Sequence, residues 1–460
     1  MAADSSLRLI TSLLLIILSI ILPNTLNASN SLPTVSPPPA GGVVYGYYTS
    51  KSSQIKNYPP THIPATELTH LVYAYFTALP NGTVVPGDPY VDLQLPYPED
   101  DPSQPGHHIF GNLKQIGILK HQNRGLKVLL GIGGAAGSQH FSTIAASETL
   151  RHAFAISAVS WMLDLGLDGL QIDWQFPTSS ANGNNLSYLL YSIQQVLTAS
   201  HEYMMHVDPY SAPFILSASF SGVPASLVHL PLGTLSLFLN YMIFQCFNYA
   251  GKWSRTIANQ AQFFGIGDNC QNVLQHAVSQ NVPRNKIVAG IPAFGRAFDG
   301  VQYPYPGAPF NGVGQGEYED GVWDYKSLPL YGTTVAENST TLSASTFDAA
   351  LHEWISFDTD KTVGWKTYWL RTNGFAGVSI WELSGDKPTG EGSLAQAAKS
   401  IIAMLPNGLD TSQNRLDYSI ASRFDNIKNG LLTNMADPAA PLRRRSLVDL
   451  PPLRNPFLPH

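Results

Sequence analysis

The sequence predicts an α/β fold, a (β/α)8 TIM barrel with a small α+β domain inserted between the seventh and eighth strands. Eight short β-branched or apolar runs recur over roughly 340 residues, and helix-like amphipathic segments separate several of them. Strands that alternate with helices indicate a parallel sheet, and eight such units close a barrel. The last two runs are separated by about 80 residues, Arg296 to Asn373, which is too long for a helical crossover and predicts the insertion.

The predicted elements follow one another in this alternating order. Helix-like patterns are clearest at residues 108–122, 147–165 and 186–200. Active sites of such barrels lie at the carboxyl ends of the strands, and we expect residues 168–175, 247–248 and Trp381 to lie there. The predicted strands are residues 43–48, 71–76, 128–132, 170–174, 214–218, 239–247, 287–291 and 378–381.

The two ends of the chain have a different composition from the barrel. Leu9 to Leu22 is almost purely apolar, too short for a membrane span and of the right length for a signal peptide, with a retained membrane anchor as the alternative. Small residues near Ala28 offer cleavage sites, so we expect a secreted, extracellular protein that is released from the membrane. The predicted organisation is a signal peptide (1–29), a Pro/Ser-rich linker (30–42), the barrel (43–405, with its insertion at 299–360) and a poorly ordered tail (406–460).

Composition limits the partners and cofactors. Charged residues make up only 13% of the chain and the net charge is −6, so no basic stripe is present to meet nucleic-acid phosphates. No Cys/His cluster has the spacing of a metal site and no glycine-rich phosphate motif stands out. We therefore expect no nucleic acid, metal or cofactor.

The cysteines and sequons bear on secretion. Cys246 and Cys270 could form one disulfide in an oxidising compartment, but the strand-end position of Cys246 slightly favours a small buried apolar residue. The sequons at Asn81, Asn185 and Asn338 would be surface glycosylation acceptors in a secreted chain.

The fourth predicted strand carries a motif of carboxylates and amides. Residues 166–177 read GLDGLQIDWQFP, with Asp168, Gln171, Asp173 and Gln175. This segment resembles the D-G-x-D-x-D-x-E-x-P signature of glycoside hydrolase family 18, the chitinases, with glutamine at two of the four acidic positions. The resemblance is to the fungal-type (class V) endochitinases.

The resemblance extends in order from about Val44 to Pro388. Residues 70–75 (HLVYAY) resemble the second-strand pattern H-I-x-Y-A-F, and residues 127–134 (KVLLGIGG) resemble K-V-L-L-S-I-G-G with Gly131 for serine. The sixth-strand pattern, M-x-Y-D-Y-A-G, aligns with residues 245–251. Further matches lie at residues 46–48, 286–296, 312–329 and 377–383.

The resemblance implies a chemistry that this chain lacks. In family 18 the sugar's own 2-acetamido group attacks the anomeric carbon, and one protein carboxylic acid protonates the leaving oxygen. That acid corresponds to Gln175, whose amide has no acidic proton to give. Gln171 and Asn248 replace two aspartates, and Phe247 replaces the tyrosine that holds the acetamide carbonyl. We therefore expect no intact catalytic residue and a catalytically degenerate protein.

A binding cleft is still implied. Trp381 corresponds to the floor of the central sugar site, and Trp253 would wall its product side. Asp173, Arg296 and Tyr47 are expected to face the cleft, with Gln175 and Asn248 as a retained polar lining. For Tyr47 a place in the core is an equal alternative, and for Asp168 the alternative is a brace of the barrel interior. Strand alternation turns Trp174 toward the helices.

Three functions remain open. The first is a secreted chitinase-like pseudoenzyme that binds chitin oligosaccharides uncut, hiding them from host immune receptors as a virulence effector would. The second is a chitinase with weak activity, using another acid such as Glu382, although alternation turns Glu382 away from the face of Trp381. The third is a protein–protein module, for example an enzyme inhibitor on a barrel that binds no sugar.

Overall fold

The computed structural model describes residue 35 and residues 37–209, 211–416, 421–428 and 431. The predicted signal peptide and most of the tail lie outside these residues. Within them, no helix combines the length and the apolar character needed to cross a bilayer.

Eight parallel strands close into a barrel, as predicted. Neighbours along the chain pair in parallel, and the first strand pairs with both the second and the last. The first eight strands of the chain are β1 (Val43–Thr49), β2 (His70–Ala78), β3 (Val84–Val85), β4 (Lys127–Gly133), β5 (Gly169–Asp173), β6 (Ile215–Ser221), β7 (Tyr241–Gln245) and β8 (Ile287–Pro292). The short β3 is an antiparallel extension of β2, and β14 (Gly377–Trp381) completes the barrel.

Helices cover the outside of the barrel. Ser147, Ser179 and Ser393 begin three of them by accepting a hydrogen bond from the backbone N–H three residues later. The helices are α1 (Ser52–Ile55), α2 (Pro89–Leu93), α3 (Gly111–Gln122), α4 (Gly134–Gly137), α5 (Phe141–Ala146), α6 (Glu148–Asp164), α7 (Ser180–Val207), α8 (Leu232–Phe238), α9 (Cys270–Ser279), α10 (Asp360–Thr372), α11 (Leu394–Met404) and α12 (Asp425–Lys428).

The apolar core of the barrel has two parts because each barrel strand is covered on both faces, and a third cluster around Phe298 and Trp354 belongs to the insertion. The larger part fills the space between the strands and the helices, with Phe154 and Leu190 among its fully buried members. A smaller cluster fills the barrel interior, where Tyr45, Leu129 and Val288 are inaccessible to solvent. Trp381 packs against this interior cluster, so the core continues to the open end of the barrel.

The inserted domain lies between β8 and β14 and contains a five-stranded antiparallel sheet. It begins earlier than the expected residue 299, because Phe294 already pairs with Asp324 in this sheet. The strands are β9 (Phe294–Phe298), β10 (Val322–Asp324), β11 (Val335–Asn338), β12 (Ser343–Asp348) and β13 (Glu353–Phe357), and their order is β10-β9-β13-β12-β11.

The segment after residue 405 differs from the expected poorly ordered tail where the structure describes it. Leu409 forms a parallel bridge with Gly42, and Asp410 lies 2.9 Å from the Nζ of Lys127. The Asn414 side-chain amide donates to three carbonyls at the end of α3 and the start of β4. The backbone N–H of Arg415 donates to Asp168 at 2.7 Å. Polar composition predicted disorder, but the polar groups of this segment form hydrogen bonds and an ion pair with the strand and helix ends at the bottom of the barrel.

The two cysteines are joined by a disulfide, which corrects the slight preference for an unpaired Cys246. Cys246 follows β7 and Cys270 begins α9, and their Cα atoms lie 5.0 Å apart. This separation is within the normal range for a disulfide. The sequence showed that Cys246 is buried but not which residue α9 brings beside it.

We expect the Cys246→Ala/Cys270→Ala variant to lose about 2–4 kcal/mol of unfolding free energy, because the bond closes a loop with a sequence separation of 24 residues. Urea denaturation of the oxidised protein and of this variant measures the difference. The reduced wild-type protein is the matched control and is expected to resemble the variant. Equal stability of all three would contradict the expectation.

Candidate functional site

The candidate site lies at the carboxyl ends of the barrel strands, where the sequence placed it. Asp173 is the last residue of β5 and Trp381 is the last residue of β14. Phe247 and Asn248 lie two and three positions beyond the last residue of β7, and Tyr75 lies near the end of β2. Parallel strands bring these residues to one rim although they are far apart in the chain.

Asp173 is the centre of the site. Its side chain is fully buried, and its Oδ2 accepts hydrogen bonds from the Tyr75 hydroxyl at 2.5 Å and from the Gln175 Nε2 at 2.9 Å. Its Oδ1 is buried without a hydrogen-bond partner among the described residues. Burial raises the pKa of Asp173 to about 6, while the two donors act in the opposite direction.

Gln175 is half-buried beside Asp173 and occupies the last acidic position of the motif. Its backbone N–H donates to the Ser138 hydroxyl at 2.8 Å, which fixes the start of the loop after β5. Its side chain donates to Asp173, so it can hold a ligand oxygen or release the carboxylate by rotating. An amide has no proton to transfer in the pH range in which a carboxylic acid works.

Gln171 is turned into the barrel interior. Its Nε2 donates to the Ser219 hydroxyl at 2.7 Å and to the Tyr47 hydroxyl at 3.1 Å, and its Oε1 accepts from the Ser217 hydroxyl. Each hydrogen bond recorded for this amide goes to a neutral hydroxyl. Both ends of the amide are therefore satisfied within the barrel interior.

Tyr47 lies beneath the site, which corrects its expected position on the open cleft. Only 3% of this residue is exposed, and its hydroxyl contacts Ser219 at 3.2 Å. Its ring packs under Trp381 with the ring centres 5.1 Å apart. Tyr47 therefore supports the aromatic floor, because the inward direction of its β1 position places it in the barrel core.

Trp381 and Tyr75 form that floor. Their rings are 5.9 Å apart and inclined by 23°, and both side chains are partly exposed. The Tyr75 hydroxyl donates the hydrogen bond to Asp173, so the aromatic floor is linked directly to the carboxylate. Aromatic surfaces of this kind stack well on flat ligands.

A second group lies on the insertion side of the cleft. The Arg296 Nε donates to the Asn248 Oδ1 at 2.8 Å, and its guanidinium lies 4.8 Å from the centre of the Trp253 ring. Trp253 is 55% exposed and Asn248 is also exposed, so both are accessible to a ligand. Phe247 is buried and packs edge-on against Phe294. The structure thus joins Asn248, Arg296 and Trp253 into one wall.

Three other motif residues lie away from the cleft. Glu382 is engaged by Lys56 at 3.0 Å and by the hydroxyls of Ser52 and Ser384. Lys56 also pairs with Asp324 of β10 at 2.8 Å, which links the barrel to the insertion. The position of Glu382 agrees with the strand alternation that turned it away from Trp381. Trp174 is buried against Phe141, and Asp168 lies at the opposite end of β5.

Sequence reasoning missed Tyr75. The only signal was its place at the end of the second-strand pattern H-I-x-Y-A-F, where a tyrosine stands for phenylalanine. A single added hydroxyl in an aromatic position is not conspicuous. Its partner Asp173 lies 98 residues further along the chain, so only the closed barrel reveals the contact.

The three sequons have different surroundings. Asn81 and Asn338 are exposed in or beside turns, and each side chain accepts a backbone hydrogen bond two residues later. Asn185 lies inside α7 and is half-buried, and the hydroxyl of Ser187 in the same sequon bonds the Gly183 carbonyl. Asn185 thus differs from the exposed acceptor that the sequence predicted.

The carboxylate–amide centre and its aromatic floor lie at the carboxyl ends of eight parallel strands, where (β/α)8 barrels carry their active sites. The chain belongs to the glycosyl hydrolases family 18, whose sequence profile it matches over residues 43–386. It is 34% identical to Chitinase 1 of Aphanocladium album over 84% of this chain and 90% of that one. It is 32% identical to Endochitinase 1 of Metarhizium robertsii over 86% and 92% of the two chains.

Solved structures share the fold. The catalytic domain of the psychrophilic chitinase B from Arthrobacter TAD20 matches with a TM-score of 0.74 at 21% identity, covering 82% of this chain and 99% of that one. A glutamate-to-glutamine mutant of the class V chitinase from Nicotiana tobaccum, in complex with NAG4, matches with a TM-score of 0.67 at 24% identity, covering 78% and 99%.

Proposed function

We propose that this protein binds chitin oligosaccharides, oligomers of N-acetylglucosamine, in the cleft at the barrel mouth without hydrolysing them. The observation that carries the proposal is Gln175, an amide at the proton-donor position whose side chain donates to Asp173 rather than holding an acid proton. Without that acid, the leaving oxygen of a bound sugar cannot be protonated from this position.

The cleft nevertheless keeps surfaces suited to a sugar. Trp381 and Tyr75 offer stacked, partly exposed rings, and Trp253 is an exposed ring supported from behind by Arg296. The side-chain amides of Asn248 and Gln175 together supply hydrogen-bond donors and acceptors. The curated relatives are named chitinases, and the Nicotiana mutant binds NAG4 as a glutamine-for-glutamate variant, which supports the same ligand class here.

The polar replacements also favour binding over random decay. Gln175 matches the glutamate of the motif in size, Gln171 is one methylene longer than the aspartate it replaces, and each makes specific hydrogen bonds. Neutral amides also avoid the repulsion that clustered carboxylates would impose on Asp173. A cleft that had lost all function would not be expected to keep both glutamine side chains hydrogen-bonded in this way.

We further propose that the protein is secreted and captures soluble chitin fragments, because residues 1–29 have the composition of a signal peptide. Amino-terminal sequencing of the protein from culture medium tests this part. A mature amino terminus near residue 29 is expected, and retention of the full chain in membranes would contradict it.

Calorimetric titration with N-acetylglucosamine hexamer, followed by mass spectrometry of the recovered ligand, tests the binding. We expect a micromolar dissociation constant and an intact hexamer. Trp381→Ala should weaken the affinity about 5- to 150-fold, since stacking on one aromatic platform is worth roughly 1–3 kcal/mol by analogy with nucleic-acid bases. Trp365→Ala, on the outer helix α10, is the matched control and should leave affinity unchanged.

The outcomes separate the three functions. Binding of an intact hexamer that depends on Trp381 supports the proposal. Cleavage of the hexamer by purified protein would make it an active chitinase. Absence of binding would overturn the proposal and leave a protein partner as the remaining explanation.

A further inference from the structure

We propose that Tyr75 is a positioning residue that replaces the acidic partners of Asp173 and keeps one carboxylate oxygen directed at a ligand donor. The contact between the Tyr75 hydroxyl and Asp173 joins two strands that are 98 residues apart in sequence. The consequence of this hydrogen bond for sugar affinity rests on the proposed function, whereas its effect on the pKa of Asp173 does not.

The neighbours of Asp173 show why such a partner is needed. A buried carboxylate is costly unless hydrogen bonds or an opposite charge compensate it. The groups that contact it or interact with it electrostatically are the hydroxyls of Tyr75 and Tyr47 and the amide of Gln175. All are neutral, because burial raises the pKa of both tyrosines far above the physiological range. No ion pair to Asp173 occurs among the described residues.

Both recorded donors act on the same oxygen. Tyr75 and Gln175 each donate to Oδ2, and Oδ1 is left buried without a partner. A carboxylate oxygen has two lone pairs to offer, so Oδ1 is available to an N–H or O–H group of a ligand. The amide N–H of an N-acetylated sugar is a donor of the right kind.

The two donors differ in how firmly they are held. The Tyr75 ring is fixed between the Trp381 ring and two glycines: an added Cβ at Gly131 would lie 3.0 Å from the ring, and one at Gly134 would lie 2.6 Å from it. Gln175 is half-buried in a loop and has a flexible side chain. Rotation of Gln175 would therefore open a path to the carboxylate while Tyr75 still holds it in place.

Gly131 provides part of the space for this arrangement. It stands where the third-strand pattern has serine, and the tyrosine stands where the second-strand pattern has phenylalanine. A larger residue at position 131 would press on the ring whose hydroxyl is anchored at Asp173. The small residue Gly131 therefore leaves room for the larger Tyr75, and the fit of these two departures favours a site adapted to this contact.

The titration of Asp173 in the sugar-free protein tests the role of Tyr75. We would label the aspartate carboxyl carbons with ¹³C, follow them by NMR from pH 4 to 9, and assign the Asp173 signal by its loss in Asp173→Asn. The wild-type midpoint is expected near the pKa of about 6. In Tyr75→Phe it should rise by about 1 to 2 pH units, because a donor to the charged form has been removed.

Tyr47→Phe is the matched control, since it removes a hydroxyl beneath Trp381 that bonds Ser219 and Gln171 instead of Asp173. Its Asp173 midpoint should move much less than that of Tyr75→Phe, because the Tyr47 hydroxyl lies near Asp173 but donates no hydrogen bond to it. An unchanged midpoint in Tyr75→Phe, or an equal rise in both variants, would overturn the proposal.

The hexamer titration adds the functional consequence. Affinity should fall as the pH drops through about 6, where Asp173 becomes protonated, and the fall should begin at higher pH in Tyr75→Phe. If the hexamer does not bind at any pH, the proposed function fails while the sugar-free titration still decides the role of Tyr75.

Discussion

The change Gln175→Glu alone should leave the protein without measurable hydrolysis of N-acetylglucosamine hexamer. It restores an acid, but Phe247 still offers no hydroxyl to the acetamide carbonyl and Gln171 still bonds only neutral hydroxyls in the barrel interior. Substrate-assisted chemistry needs the acetamide held for attack as well as an acid for the leaving oxygen.

Adding Gln171→Asp, Phe247→Tyr and Asn248→Asp should bring hydrolysis about 10²- to 10⁴-fold above the wild-type background, the range that general acid catalysis typically supplies. Product release from the hexamer, followed by mass spectrometry, measures it. The same four changes combined with Asp173→Asn are the matched control and should be inactive, because the central carboxylate is removed.

This comparison also tests the interpretation of the individual positions. Full activity of the single Gln175→Glu variant would show that Gln171, Phe247 and Asn248 do not limit the reaction. An inactive quadruple variant would indicate that another departure, such as the Tyr75 contact on Asp173, also blocks the chemistry. Adding Tyr75→Phe to the four changes would then distinguish that possibility.

The change Asp168→Asn should cost about 3–5 kcal/mol of unfolding free energy. Asp168 is buried at the bottom of β5 and lies 3.1 Å from the buried Lys120 ammonium. Its Oδ2 also accepts from the Val128 backbone N–H and its Oδ1 from that of Arg415, each at 2.7 Å. Asparagine has one acceptor oxygen, so one backbone donor loses its partner and the ammonium loses its counter-charge.

Urea denaturation followed by tryptophan fluorescence measures this loss. The matched control is Asp164→Asn, which also removes a charge beside the C-terminal segment. Asp164 accepts three hydrogen bonds on Oδ1, which asparagine retains, and its ion pair is with Arg423, whose side chain is 38% exposed. The control should cost less than about 1 kcal/mol. Equal losses in the two variants would show that Asp168 is not a central brace.

Much of the architecture follows from the sequence because the signals are local. Each barrel strand is an apolar run that needs cover on both faces, so β1, β5 and β14 could be placed within a residue or two of their observed bounds. The helix expected at residues 186–200 is longer, since Ser179 caps it and the chain stays helical to Val207. The long interval after β8 likewise indicated the insertion.

The composition of the site was also determined by the sequence. The order of Asp168, Gln171, Asp173 and Gln175 follows from the motif, and strand ends in a parallel barrel must meet at one rim. Alternation along the strands correctly turned Trp174 and Glu382 away from the cleft. These inferences need only the period of the strand and the direction of the sheet.

Only the tertiary structure decided which groups became partners. The sequence did not show that Tyr75 would bind Asp173, that Tyr47 would lie beneath Trp381, or that Cys246 would meet Cys270. Nor did it show that the polar segment containing Arg415 would close the barrel bottom through Asp168. Hydrogen bonds and disulfides act over a few ångströms, so their partners are fixed when distant strands close into the barrel, whereas apolar periodicity is already present in the linear chain.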